Sequence, residues 1–343
     1  MEFFNLFRRH TKNRQDQKQD LSSADNQSDF SIDFNLQNNP MLEDGLSYGD
    51  ILMLNWLNGQ QINKKIPGYF VERFQINPLA AKQKYKNKGL LISGDTTSRL
   101  QVLKVPQLKQ ILKENNQKVS GRKIELISRI QQNINKSHYV NSLPKTFGLS
   151  TEALSLLKQY KLLIWANDND HILSPMAYIP FINSNKTEPE IAIDLLENHI
   201  SDLIAKNEPF ITYQFSATET EIATFYKSLD NEDNYVKHSV YSILVDYFCV
   251  SEIKNDGYTE PFDSNTQYIQ TYVINNLQDK TISEAIVNLI VVSFIHRYND
   301  LLVAFFRDHP ELGTEAIIGA LTLQPSEYHR NRLAVLREIR KSN

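Results

Sequence analysis

Residues 103–134 read LKVPQLKQILKENNQKVSGRKIELISRIQQNI, two apolar stripes at helical spacing on either side of a short basic turn. Val105-Pro106 opens the first helix, because proline at the first helical position lacks only an N–H that would have been unpartnered anyway. Leu108, Ile111 and Leu112 follow at the i, i+3, i+4 spacing of a buried face, with Lys109 and Lys113 one turn apart on the other side. Ile124, Ile127, Ile130 and Ile134, joined by Leu126, repeat the pattern in a second helix. Asn115-Asn116 tolerates a left-handed C-cap, and Ser120 is expected as the N-cap of the second helix. Two helices of this size share one small core, so the fold here is helical and compact.

The turn between them ends in Ser120-Gly121-Arg122-Lys123. A helix N-terminus presents free N–H groups and the positive end of the dipole, so Ser120, Gly121 and Arg122 are placed to hold a phosphate through backbone donors, with Arg122 and Lys123 adding full charges. Glycine at 121 lets a nucleic-acid backbone approach closely. The competing reading is a capped helix whose basic residues are only solvated.

The order Val105, Leu108-Lys109, Ile111-Leu112-Lys113, Val119-Ser120-Gly121-Arg122-Lys123, Glu125-Leu126-Ile127, Arg129-Ile130 closely resembles the SAP motif. The resemblance covers about a tenth of the chain. It implies a helix-extended-helix module that binds nucleic acid, typically duplex DNA with a leaning toward A·T-rich sequence. Where family members carry glycine and then an aliphatic residue, this chain has Asn116 and Gln117. Asparagine replaces glycine in a left-handed turn at modest cost, whereas losing the aliphatic residue removes a core contact. The segment LSYGDILMLNWLNG followed by PGYF, in turn, resembles uncharacterised SAP-containing proteins of Gram-positive bacteria and their phages.

Charge is unevenly distributed, although the whole chain carries only -3. Residues 81–136 hold thirteen Lys and Arg against three carboxylates, a net charge of +10. Residues 166–328 hold 25 Asp and Glu against eight Lys and Arg, a net charge of -17. The pattern predicts a basic middle that faces nucleic acid and an acidic helical part that contacts a protein or is kept soluble by its charge. The expected nucleic-acid-binding residues are Lys104, Lys109, Lys113, Lys118, Ser120, Gly121, Arg122 and Lys123.

Around this centre the chain reads as mainly α. Residues 1–40 are polar and charged with few apolar side chains, which predicts a disordered tail preceded by the apolar cluster Phe3, Phe4, Leu6 and Phe7. Residues 41–100 are expected to form a helical unit ending in a β-hairpin, 101–137 the SAP-like module, 138–185 a second helix plus hairpin, and 186–343 an acidic α-helical domain. The two flanking units echo each other: FQINPLAAKQKYKNKGLLIS from Phe74 and FGLSTEALSLLKQYKLLIW from Phe147 each place an N-cap (Asn77, Ser150), a helix, a tyrosine (Tyr85, Tyr160) and an apolar strand in turn. Gly94-Asp95-Thr96 and Asn167-Asp168-Asn169-Asp170 serve as the hairpin turns. Asp50–Leu57 is expected to be helical. So are 191–204, 217–229, 239–250, 267–276, 283–307, 314–323 and 326–340.

Chemistry is sparse. The single Cys249 excludes an internal disulfide framework and any multi-cysteine metal site, and it sits in the apolar run Val245–Val250 as a core thiol. Asp168, Asp170 and His171 read as a turn rather than a metal site. Asp230, Glu232 and Asn234 imitate a calcium loop, but Tyr235 stands where glycine is needed. His296-Arg297-Tyr298-Asn299-Asp300 lacks a phosphate-binding glycine loop, and Arg297 and Asp300 are expected to pair on a helix. Ala285–Ile295 is too short to span a bilayer and reads as a buried core helix. Neither a catalytic constellation nor a cofactor is expected. The expectation is a cytoplasmic, non-enzymatic protein bound to nucleic acid, with duplex DNA as the first target and RNA, a protein partner or a nucleic-acid-processing activity as alternatives.

Overall fold

The computed structural model describes residues 39–42, 45–206, 212–252, 275, 277, 282–298 and 310–322. The expected tail up to residue 38, the helix at 326–340 and nearly all of the one at 267–276 lie outside them. The described chain is mainly helical, with a single two-stranded antiparallel sheet among the described residues.

Helix α1 (Tyr48–Leu57) starts at a capping box: the Ser47 hydroxyl accepts from the Asp50 N–H and the Asp50 carboxylate accepts from the Ser47 N–H. It is buried nearly all round, through Ile51, Leu52, Met53, Leu54 and Leu57. Asp50 is therefore a carboxylate in an apolar setting. Its oxygens take hydrogen bonds from Tyr85 Oη at 2.6 Å and Lys84 Nζ at 2.7 Å. Burial pushes this carboxyl upward, but the Lys84 and Tyr85 bonds outweigh it and hold the group below the usual carboxylate range. Of Lys82, Lys84, Lys86 and Lys88, which alternate along this stretch, Lys84 is thus fixed inward by an ion pair.

After α2 (Tyr69–Glu72), helix α3 (Pro78–Asn87) begins as expected at Asn77, whose side chain accepts from the Leu79 and Ala80 N–H groups. The strand that follows, β1 (Leu91–Ser93), has its partner far along the chain. It pairs with β2 (Phe147–Leu149), in the register Leu91 with Leu149 and Ser93 with Phe147. The expected local hairpins are not formed. Gly148 makes the distant pairing close, since a Cβ there would lie 3.0 Å from the Gly94 Cα and 3.1 Å from the Ser93 carbonyl.

The second unit differs from the first in a further respect. Helix α7 (Thr151–Gln159) is capped by Ser150 as expected, but Leu162-Leu163-Ile164 is helical, within α8 (Lys161–Asn169). Leu162, Leu163 and Ala166 bury one helical face, and no glycine separates Tyr160 from Lys161 to break the chain toward a strand. Asn167-Asp168-Asn169 then closes α8 instead of turning a hairpin, and Asp170 is its buried C-cap residue. Gly94-Asp95-Thr96 is likewise a helix start, with the Asp95 carboxylate capping the Ser98 N–H at 2.8 Å.

Between β1 and β2 lie α4 (Thr96–Gln101), α5 (Val105–Glu114), α6 (Lys123–Asn133) and two short 3-10 turns at Lys136–His138 and Val140–Ser142. Beyond α8 come a 3-10 segment at Pro175–Phe181 and helices α9 (Glu188–Lys206), α10 (Thr212–Ser228), α11 (Glu232–Glu252), α12 (Glu284–Arg297) and α13 (Pro310–Thr322). Buried apolar residues fall into two clusters. The larger runs from Leu46 through α1, the sheet and α7–α13; the smaller is confined to Leu100–Leu143. In α12 only one face joins the larger cluster, through Val287, Val291 and Phe294. Ile286 and Leu289 are exposed, so the expected core helix is buried along one face only. Cys249 lies within α11.

Candidate nucleic-acid interface

The segment between the strands is built on its own core. Leu108 and Leu112 of α5 meet Leu126, Ile127 and Ile130 of α6, and Leu100, Leu103, Ile134, Tyr139 and Leu143 complete the packing. Ile111 is partly buried against it, while Ile124 is 75% exposed. At about 100° per residue, Ile124 lies roughly 100° around α6 from the centre of the Leu126–Ile127–Ile130–Ile134 stripe, which explains why its i+3 spacing to Ile127 was not enough. Arg99, one of the basic residues of the segment, is directed inward. Its guanidinium donates to the carbonyls of Val140, Leu143 and Pro144 at 2.7–3.0 Å and joins the two ends of the segment.

Helix α5 ends in a Schellman motif: the Gln117 N–H reaches the Leu112 carbonyl at 2.8 Å and the Asn116 N–H reaches Lys113 at 3.1 Å. Asn116 holds φ of 55°, the left-handed conformation expected of it. Helix α6 does not begin at Ser120. Its N-cap is Arg122, whose N–H donates to Glu125 Oε2 at 3.1 Å. The reason is local, because the carboxylate three residues on closes a cap only on residue 122. Gly121 sits at φ of 128°, a region that strains any residue with a side chain, and a Cβ there would meet the Glu125 carboxylate at 2.5 Å.

Lys104, Lys109, Lys113, Lys118, Ser120, Gly121, Arg122 and Lys123 are all exposed. Lys104 is the N-cap of α5, where its N–H donates to Gln107 Oε1 at 2.8 Å. Lys109 and Lys113 lie one turn apart on the outer side of α5. Lys118 to Lys123 form the turn and the start of α6. Among the described residues the side chains of Lys104, Lys109, Lys113, Lys118 and Arg122 have no hydrogen-bond or ion-pair partner, whereas Lys123 Nζ donates to the Gln101 carbonyl at 2.5 Å. Arg122 is therefore the free cation nearest the helix N-terminus.

Residues 99–135 match the SAP domain. The match starts at Arg99, ahead of the amphipathic pattern, and so takes in Leu100 and Leu103, which share the module's core. Beyond it, no curated protein and no solved structure is similar to the chain. The SAP domain is a nucleic-acid-binding module, and this chain carries it as an excursion between two paired strands.

Elsewhere the fold gathers chemistry that linear spacing hides. Glu219 of α10, fully buried, accepts from Arg297 Nε at 3.0 Å and from Tyr298 Oη, and lies 2.6 Å from His238 Nδ1. Arg297 Nη2 also reaches Glu197 at 2.7 Å. Burial pushes the Glu219 carboxyl up, but the His238 bond and the Arg297 charge prevail and hold it low. Arg297 is thus matched to two carboxylates from α9 and α10; the expected partner Asp300 lies outside the described residues. Asp170 is also buried, with Oδ1 accepting from the Ile172 and Leu173 N–H groups and Oδ2 from Tyr178 Oη. Among the described residues no three His, Cys, Asp or Glu are grouped to hold a metal ion.

Proposed function

We propose that this protein binds duplex DNA through the phosphate backbone, using the turn 118–123 and the lysines of α5, while the acidic helical part contacts a protein partner or serves as a scaffold. The SAP match over 99–135, set on a turn with an unpartnered Arg122 beside a helix N-terminus, is the observation that carries this reading. The reading includes a non-enzymatic role, supported by Glu219 and Asp170, which already accept bonds from neighbouring side chains or backbone. Among the described residues no helix is long and apolar enough to cross a membrane, which is compatible with a cytoplasmic protein. The resemblance of 46–70 to SAP-containing proteins of Gram-positive bacteria and phages belongs to the same proposal.

The test is the salt dependence of duplex DNA and RNA binding by the intact chain, beside an Arg122→Ala, Lys123→Ala double variant. Each lost phosphate contact is expected to flatten the slope of log K against log salt by about 0.9 for duplex DNA, at all sequences alike. Because Lys123 is tied to Gln101, Arg122 is expected to supply most of the change. A variant with the wild-type affinity and slope refutes the assignment. Tighter, slope-changing binding to RNA moves the target to RNA.

A further inference from the structure

The turn between α5 and α6 is held from one place. Among the described residues, the carbonyls of Lys118 and Ser120 both accept from a single guanidinium nitrogen, Arg129 Nη1, at 2.6 and 2.9 Å. Alternate carbonyls of an extended chain point to the same side, and residues 118–120, which are neither helix nor turn, present two of theirs to one donor in this way. Arg129 sits two turns into α6, on a helix anchored by Leu126, Ile127 and Ile130, so it ties the free turn to the rigid part of the module. The Gly121 backbone, at φ of 128°, then redirects the chain into the Arg122 cap.

We infer that Arg129 is a positioning residue for nucleic-acid binding: it holds residues 118–120 extended so that Ser120 and Arg122 meet a phosphate without first paying the entropy of ordering the turn. This rests on the proposed DNA-binding reading. The Arg129 charge adds to the local field, and Nη1 is taken up by the two carbonyls, so the salt slope of an Arg129 variant separates positioning from any direct phosphate contact by Nε or Nη2. Lysine has donors enough for both carbonyls, but its ammonium stands one bond nearer the backbone than Nη1, so from α6 it is expected to fall short of them.

The experiment is a double-variant cycle on the full chain, titrating a fluorescein-labelled duplex DNA over a salt series with the wild type, Arg122→Ala, Arg129→Ala, Arg129→Lys and the Arg122→Ala, Arg129→Ala pair. Hydrogen exchange over α5 and α6 confirms that each variant keeps the module folded. Arg129→Ala is expected to weaken binding about tenfold, and Arg122→Ala to cost much less in the Arg129→Ala background than in the wild type, because residues that act together are not additive. Arg129→Lys is expected to keep the wild-type salt slope without restoring affinity. Additive losses, a slope that falls by a full phosphate contact in Arg129→Ala, or wild-type affinity in Arg129→Lys would each overturn the positioning role while leaving DNA binding in place. Absence of salt-dependent binding by the wild type overturns the DNA-binding reading and the positioning role together.

Discussion

At Gly121, φ of 128° strains alanine, and a Cβ there would push the Glu125 carboxylate, 2.5 Å away, off its bond to the Arg122 N–H. Gly121→Ala is expected to lower the stability of the module by about 1–3 kcal/mol and to weaken DNA binding with it, read by hydrogen exchange and titration. Glu221 offers a pH-dependent counterpart in the helical body. Burial raises its carboxyl to about 8, Asp170 adds repulsion, and the His171 N–H works the other way. The folded state therefore keeps a proton that the unfolded state gives up near the ordinary value of about 4.3. Between those two values the unfolded chain binds fewer protons, so this group's contribution to stability declines as pH rises from about 4.3 to about 8. Glu221→Gln is expected to flatten that decline and to raise the melting temperature at pH 8 relative to the wild type; an unchanged pH profile counts against it.

At the scale of elements, α5 and α6 are stabilised by each other more than by the rest of the chain. Ile130 is fully buried in a cluster confined to residues 100–143. Ile130→Ala is expected to cost about 2–5 kcal/mol, enough to open a core this small, while the larger body melts as before. Hydrogen exchange resolved along the chain separates the two, and a shift of the whole melting curve would contradict it. The helical stripes and caps were readable in the sequence because they depend on neighbours three or four residues away. Ser120 and Leu162-Leu163-Ile164 misled for the same reason: a good cap residue and a short apolar run are local signals, and here Glu125 and the continuous helical face of α8 outweighed them.

At the scale of the molecule, the β1–β2 pairing means that the chain leaves and rejoins the body at adjacent points. Ser93 faces Phe147, and the Gly94 N–H donates to the Thr146 carbonyl at 2.9 Å. Replacing residues 95–145 with Asn-Gly, which favours a two-residue hairpin turn, is expected to leave a helical body that melts cooperatively and no longer binds DNA. Loss of the body's cooperative melting would show that the two cores depend on each other. The Glu197–Glu219–His238–Arg297 network belongs to this scale as well, since its members come from α9 to α12 and lie as far apart as 100 positions.

The sequence by itself determined the helical class, the two-helix module with its left-handed Asn116, the caps at Asn77 and Ser150, and the exposed basic turn, because each is set by spacing or backbone preference within a few residues. Only the tertiary structure decided that β1 finds β2 across the module, that Lys84, Arg99 and Arg297 turn inward, and that Arg129 fastens the turn. Those outcomes depend on which distant carboxylate or carbonyl comes within hydrogen-bond reach once the apolar surfaces close, and that reach has no signature in linear spacing.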